Sequence, residues 1–120
     1  MQDRFKFRHW DKRINKMFYP ERNDNFSYYV NNSDIIETMQ CTDLKDKNGK
    51  LIYEGDIVKT IYTRPDGVII NRNCVIEYNR SAFWINYGIG ASYLYNDDCI
   101  YEVIGNIYEN SELLGVENER

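Results

Sequence analysis

The chain has 120 residues, of which 42% are hydrophobic and 15% aromatic, and its formal net charge is −4 at pH 7. This composition excludes a disordered chain, and the length suits one domain with one core. The pI near 5.0 argues against non-specific nucleic-acid binding, and no apolar run reaches the ~20 residues of a membrane helix. No secretory signal follows Met1, so we expect a cytoplasmic protein.

The first segment predicts a β-hairpin with a basic surface. Phe5 and Phe7 share one face of a strand, a polar turn spans residues 11–15, and Lys16 to Tyr19 form the returning strand. Seven basic residues stand against three acidic ones in residues 1–22. We interpret these cations as a solvated surface that pairs with the acidic remainder of the chain rather than with phosphates.

The next segment has two competing interpretations. Tyr28 to Val30 and Ile35 to Thr42 predict two strands on either side of a polar turn. The alternative is a short helix from Ser33 to Met39, because Ser33 is a suitable N-cap and apolar residues follow at a spacing of three.

Residues 40–58 contain the densest turn chemistry in the chain. Asn48-Gly49 predicts a tight two-residue hairpin turn, and a short apolar strand follows it. Gly55 then predicts a sharp bend with a backbone geometry that a Cβ would strain, and Asp56 is expected to accept hydrogen bonds from nearby backbone N–H groups. We interpret Asn48, Gly49, Gly55 and Asp56 as a structural corner, in which Gly55→Ala is more damaging than Asp56→Asn.

Two pairs of carboxylates allow an alternative interpretation, in which these residues form a functional site. Glu54 and Asp56 flank Gly55, and Asp97 is followed directly by Asp98. Either pair has the residue types that bind a divalent cation or act in acid–base catalysis. Turn formation explains both pairs without any activity, and we favour that interpretation.

The remainder of the chain alternates between turns and short strands. Arg64 to Gly67 has the Pro and Gly positions of a type I turn, and residues 88–90 form a glycine-rich link. The predicted strands cover residues 57–62, 68–70, 74–78, 82–87, 93–95 and 100–108, with a single helical turn at 110–114. This pattern predicts a mainly β protein.

Three blocks of the sequence resemble the YopX family of phage and prophage proteins. They are residues 6–11 with Lys16-Met17, residues 40–58, and residues 102–110 with 112–114. Two positions depart from the family pattern: Asp43 stands where glycine is usual, and Ser111 where proline is usual. The resemblance implies an SH3-like β-barrel but no established catalytic or binding residues. The expected organisation is an N-terminal hairpin extension at 1–41, a barrel at 42–114 and a flexible tail at 115–120.

Few residues have the spacing that metal sites or covalent catalysis require. His9 is the only histidine, and Cys41, Cys74 and Cys99 are too far apart for the usual zinc spacing. Nucleophile elbows and phosphate-binding glycine loops are absent from the sequence. We expect three reduced thiols, no metal and no cofactor, and we leave catalysis open while favouring a protein that is not an enzyme.

Aromatic residues give the strongest indication of a binding surface. Their number exceeds what one small core needs, and alternation along strands turns some of them outward. Arginines beside them add stacking or phosphate contacts. The alternative is that the rings fill the barrel and cover its ends. The candidate binding residues are Trp10, Arg72, Tyr78, Trp84, Tyr87 and Tyr95.

Two classes of function follow from this sequence. The first is a non-catalytic protein-interaction module, encoded by a phage or prophage, that binds a host or phage protein in the bacterial cytoplasm. The second is a binder that sequesters a small nucleotide signal in a pocket of aromatic and arginine side chains. We expect no membrane or nucleic-acid partner, and a homo-oligomer remains open.

Overall fold

A computed structural model describes residues 6–20, 26–94 and 99–114. It confirms the mainly β prediction. The described part ends in a single helical turn at 112–114. The other elements, in chain order, are β1 (Phe7–Asp11), β2 (Lys16–Phe18), α1 (Phe26–Asn31), β3 (Ile36–Lys45), β4 (Leu51–Tyr53), β5 (Asp56–Thr63), β6 (Ile69–Asn79), β7 (Ala82–Asn86), β8 (Ala91–Tyr93) and β9 (Cys99–Asn106).

The strands form two antiparallel sheets with a shared core. One sheet has four strands in the order β2-β1-β3-β4, and the other has five in the order β8-β7-β6-β5-β9. The five-stranded sheet curves into a half-barrel, which agrees with the expected small-barrel fold. Ile52 of β4 brings the first sheet into the core on the concave side of the second. The buried members of that core are Ile52, Val58, Cys74, Ile76, Ile85, Leu94 and Tyr101.

The predicted N-terminal hairpin is present as β1 and β2. Its strand β1 also pairs with β3, in a register that runs from Phe7 opposite Gln40 to Asp11 opposite Ile36. Because β3 continues to Lys45, one strand passes through the boundary predicted between residues 41 and 42. The division into domains stays a prediction, and the tail at 115–120 lies outside the described residues.

The strand predicted at Tyr28 to Val30 is wrong, because these residues belong to helix α1. The alternative helix from Ser33 to Met39 is also wrong, since β3 begins at Ile36. The physical reason is tertiary: Tyr29 of the helix stacks on His9 with ring centroids 3.8 Å apart. Phe26 packs on Phe7 at 4.8 Å. These contacts outweigh the strand preference of aromatic residues.

The turn between β3 and β4 is longer than the two residues predicted. Gly49 has a φ of +81°, whereas Asn48 is not among the residues with positive φ. The N–H of Gly49 donates to the Asp46 carbonyl at 3.0 Å, and the Asp46 N–H donates to the Lys50 carbonyl at 2.8 Å. A three-residue loop with glycine in the left-handed position has this geometry. Asp46 accounts for the difference, because its Oδ1 accepts the N–H groups of Asn48 and Lys50, both at 2.9 Å.

The two strands predicted on either side of residues 71–73 are one continuous strand, β6. The polar residues 71–73 were predicted to interrupt the strand. They are compatible with a continuous strand, because successive side chains point to opposite faces of a sheet. β6 then turns into β7 through Arg80 and Ser81, which both have positive φ, +52° and +62°. Neither residue is a glycine, so the sequence lacked the usual signal of this two-residue turn.

Asp43 occupies a left-handed backbone position, with a φ of +68°. It lies where the β3–β4 pairing is irregular, between Cys41 and Lys45. The resemblance to the YopX family implies glycine at this position, and a glycine avoids the steric cost of a Cβ there.

We therefore expect Asp43→Gly to raise the free energy of unfolding by about 0.5–1 kcal/mol. Urea unfolding followed by circular dichroism measures this gain. Thr63→Gly is the matched control, because Thr63 is exposed on a strand and has no positive φ. That control is expected to lower stability. An Asp43→Gly protein no more stable than the parent would contradict the prediction.

Candidate functional site

The concave face of the half-barrel holds a cavity of about 300 Å³. Alternate residues of each strand point to this face. Toward one end the inward side chains form the core, and toward the other they leave the cavity open. Its lining residues come from all five strands of the sheet and the residue after β7: Thr60, Tyr62, Ile70, Arg72, Cys74, Ile85, Tyr87, Ser92 and Cys99.

Arg72 and Tyr87 meet in this cavity. The Arg72 Cζ lies 5.1 Å from the centroid of the Tyr87 ring, a distance typical of cation–π stacking. Among residues 6–20, 26–94 and 99–114, Arg72 makes no ion pair. The guanidinium therefore lies over a ring, and none of the described carboxylates neutralises its N–H donors.

Thr60 contributes a buried hydroxyl to the same cavity. The residue is 6% exposed, and its Oγ1 has no hydrogen-bond partner in the part of the chain that the structure describes. A buried hydroxyl without a partner costs free energy, because it has lost its bonds to water. A bound molecule with a polar atom near Thr60 would form a hydrogen bond with this hydroxyl and remove that free-energy cost.

The other candidate aromatic residues lie elsewhere. Trp84 stacks on Tyr93 with ring centroids 4.3 Å apart, and Tyr93 is 64% exposed. Tyr78 contacts Phe83 at 4.9 Å and lines a separate groove between the two sheets. Of the six predicted binding residues, the cavity brings together Arg72 and Tyr87.

The remaining two of the six candidates are Trp10, which is buried, and Tyr95. Trp10 of β1 is 6% exposed and stacks on Tyr108, which follows β9, with ring centroids 5.3 Å apart. Tyr95 lies outside the described residues, as do Asp97 and Asp98.

Gly55 and Asp56 form a tightly constrained bend between β4 and β5. Gly55 has a φ of +87°, and an ideal Cβ there would lie 3.0 Å from the Sδ of Met39. Asp56 Oδ2 accepts the Tyr53 N–H at 2.7 Å. This is the geometry that the corner interpretation requires, and the choice between architecture and chemistry stays a prediction.

Arg8 is the residue at this bend that sequence reasoning missed. Its Nη1 lies 2.9 Å from Asp56 Oδ1, and both side chains are 3% exposed. Its Nη2 donates to the Glu54 carbonyl at 3.0 Å. One signal was present in the sequence: Asp56 directly precedes the apolar strand residues Ile57 and Val58, and a carboxylate so placed needs a counter-charge.

The carboxyl groups of the bend have shifted acidity. Burial raises the pKa of Asp56, while the Arg8 charge and the Tyr53 N–H oppose that shift. Burial also raises the pKa of Glu54, opposed by the Gln40 N–H. Both Asp56 oxygens are already engaged, so this pair is poorly arranged for acid–base work. Within the described residues, no group of three or more His, Cys, Asp or Glu side chains is placed to hold a metal ion.

The histidine and the thiols have separate environments. His9 Nδ1 lies 2.9 Å from Thr38 Oγ1, and burial lowers the pKa of the imidazole. Cys41 and Cys74 are buried, whereas Cys99 is partly exposed, and none forms a disulfide.

Comparison with known proteins identifies the family. The family described as "YopX protein" matches residues 20–115. The chain belongs to the YopX family. The N-terminal block that resembles the family, residues 6–11 with Lys16-Met17, lies wholly outside the matched range. A search of curated proteins finds no match for this YopX-family chain.

Two solved structures are similar to this YopX-family protein. Protein EF1440 from Enterococcus faecalis is 27% identical with a TM-score of 0.58, over 91% of this chain and 96% of that one. Protein yopX from Bacillus subtilis is 19% identical with a TM-score of 0.62, over 92% and 96%. The second similarity supports the fold alone. Within the described residues, no helix is long and apolar enough to cross a membrane.

Proposed function

We propose that this protein is a non-catalytic binding module that holds a small planar anion, such as a nucleotide, in the cavity of its half-barrel. The observation that carries the proposal is Arg72, which is stacked on Tyr87 and has no ion pair among the described residues. A cation that lies over a ring inside a partly apolar cavity suits an anionic group attached to a ring.

The rest of the cavity supports the same ligand class. Ile70 and Ile85 form apolar walls, and Thr60 and Ser92 supply hydroxyl groups. Ligand sites are usually concave, mostly apolar and equipped with a few polar groups. A volume of about 300 Å³ is at the lower end of the range for such sites, so a compact ligand is favoured.

Binding is favoured over catalysis because of what lines the cavity. Its described lining contains no histidine and no carboxylate, and these are the side chains that most often transfer protons in enzymes. The tyrosines, hydroxyls and thiols present recognise a ligand but form no acid–base pair.

The proposal includes the origin of the protein and the compartment in which it acts. The family resemblance supports a phage or prophage origin, and three cysteines that form no disulfide support action in a reducing bacterial cytoplasm. A module that retains a nucleotide without turning it over would lower the free concentration of that nucleotide in the host.

Isothermal titration with AMP, GMP, CMP and UMP tests the proposal. We expect saturable binding of at least one of them, and about tenfold weaker binding by Arg72→Gln because one charge-assisted contact is lost. Arg64→Gln is the charge-matched control, since Arg64 lies in an exposed turn with Asp66, and it is expected to bind as the parent does.

Adenosine serves as the uncharged comparison and is expected to bind more weakly than AMP. The proposal is wrong if none of the four nucleotides binds the parent protein, or if Arg72→Gln and Arg64→Gln bind equally well.

A protein partner is the second candidate, and one observation favours it. Tyr93 is 64% exposed on the edge strand β8 and stacks on Trp84 of the neighbouring strand. Exposed aromatic pairs of this kind are common in protein interfaces. Tyr93→Ser would weaken capture of a host or phage protein while leaving nucleotide binding unchanged.

A further inference from the structure

A second cleft lies where the N-terminal strand meets the corner before β5. It encloses about 640 Å³ and shares no lining residue with the half-barrel cavity. We call it the joint cleft and define it by Lys6, Arg8, Tyr19, Lys45, Lys50 and Tyr53. We infer that the joint cleft binds an oligophosphate, meaning an anion with two or more linked phosphate groups.

The lining of the joint cleft is rich in positive charge. Three lysines line it, and its one carboxylate, Asp56, is already paired with Arg8 at 2.9 Å. Within the described residues, Lys45 and Lys50 form no ion pair. Lys50 lies close enough to Asp46 and Asp56 to favour the charged forms of these carboxyl groups. Arg8 and the three lysines still outnumber these two carboxylates, although the chain as a whole has a net charge of −4. A bound anion would lower the repulsion among the cations.

Arg8 supplies the second, independent observation. The residue is 2% exposed, and its Nε has no hydrogen-bond partner in the described part of the chain. Its Nη1 and Nη2 are occupied by Asp56 and the Glu54 carbonyl. A buried guanidinium N–H without an acceptor is costly, and an oxygen of a bound anion would satisfy it.

The fold brings these cations together from three segments. The Lys6 carbonyl accepts the N–H of Cys41 at 2.9 Å, which places Lys6 beside β3. Lys45 ends β3 opposite Leu51, and Lys50 immediately precedes that residue. Lysine is a point charge on a flexible stem and is a common phosphate ligand. Three such charges along one cleft suit linked phosphates better than one.

Titration of the full chain with sodium pyrophosphate at low ionic strength tests this inference. Calorimetry measures the affinity, and ¹⁵N NMR follows the Arg8 Nε resonance. We expect saturable binding, a shift of that resonance, and about tenfold weaker binding by Lys45→Gln and by Lys50→Gln. Lys12→Gln is the matched control, because Lys12 is already paired with Glu37 at 3.0 Å, and it should bind as the parent does.

Three results would overturn the inference. They are the absence of saturable pyrophosphate binding, an equal loss of affinity in Lys12→Gln, and a loss of pyrophosphate binding in Arg72→Gln. The last outcome would assign the phosphate to the half-barrel cavity, so failure here is distinguishable from failure of the proposed function.

Tripolyphosphate and ATP distinguish the source of the phosphate. Equal affinity for the two would support recognition of the phosphate chain alone. Tighter binding of ATP would support a nucleotide whose base lies on Tyr19, which is 55% exposed at the cleft.

Discussion

Asp56→Asn is expected to lower the free energy of unfolding by about 3–5 kcal/mol, the usual cost of leaving one member of a buried ion pair without its partner. The Arg8 guanidinium is 3% exposed and lies 2.9 Å from Asp56 Oδ1. An asparagine oxygen still accepts the Tyr53 N–H, but it provides no negative charge. This reverses the expectation from sequence that Asp56→Asn is milder than Gly55→Ala, for which we retain a loss of more than about 1 kcal/mol.

Urea unfolding of the two variants and of Asp66→Asn measures these differences. Asp66 is the control because it pairs with Arg64 on the surface at 2.7 Å, with both side chains about half exposed. Its loss should cost no more than about 1 kcal/mol. A loss below 1 kcal/mol for Asp56→Asn would contradict a structural role for the pair.

The double variant Arg8→Met with Asp56→Asn separates the ion pair from the bend. Removing both charges leaves no unpaired buried ion, so the double variant should be less destabilised than the sum of the single variants. Strict additivity would mean that Arg8 and Asp56 act independently.

Trp10→Ala is expected to cost about 3–5 kcal/mol, as large-to-small substitutions of buried aromatic residues usually do. Trp10 is 6% exposed and stacks on Tyr108, with ring centroids 5.3 Å apart. Its role is therefore to hold the residues after β9 against the four-stranded sheet, although the sequence made it a candidate for binding.

Thermal unfolding of Trp10→Ala beside Trp84→Ala checks this role. Trp84 is only partly buried and stacks on an exposed tyrosine, so its loss should be clearly smaller. If Trp10→Ala melts within a few degrees of the parent protein, the packing role is wrong, and Trp10 is again a candidate binding residue.

Local patterns in the sequence were sufficient to predict the positions of most of the strands. Alternation of polar and apolar residues located the hairpin of β1 and β2, and it located β5, β7 and β9 to within a few residues. Gly55 was identified as a bend for a local reason, because only glycine adopts a φ of +87° without strain. Helix α1 was missed because its stability comes from ring stacking on β1, which no local propensity records.

The candidate sites are formed by residues that are far apart in the sequence, so the sequence did not show which of them are in contact. Arg72 and Tyr87 were both candidates from sequence, yet only the pairing of β6 with β7 places one over the other. Thr60 was missed, because an unpaired hydroxyl is a property of its surroundings.

What the sequence determined by itself is therefore the β architecture, the backbone bend at Gly55 and the residue types available for binding. The tertiary structure alone decided that Arg8 meets Asp56 across 48 positions of the chain, and that Trp10 is core. The physical reason is that turns and alternation depend on neighbouring residues, whereas burial and ion pairing depend on contacts between sheets that residue spacing does not encode.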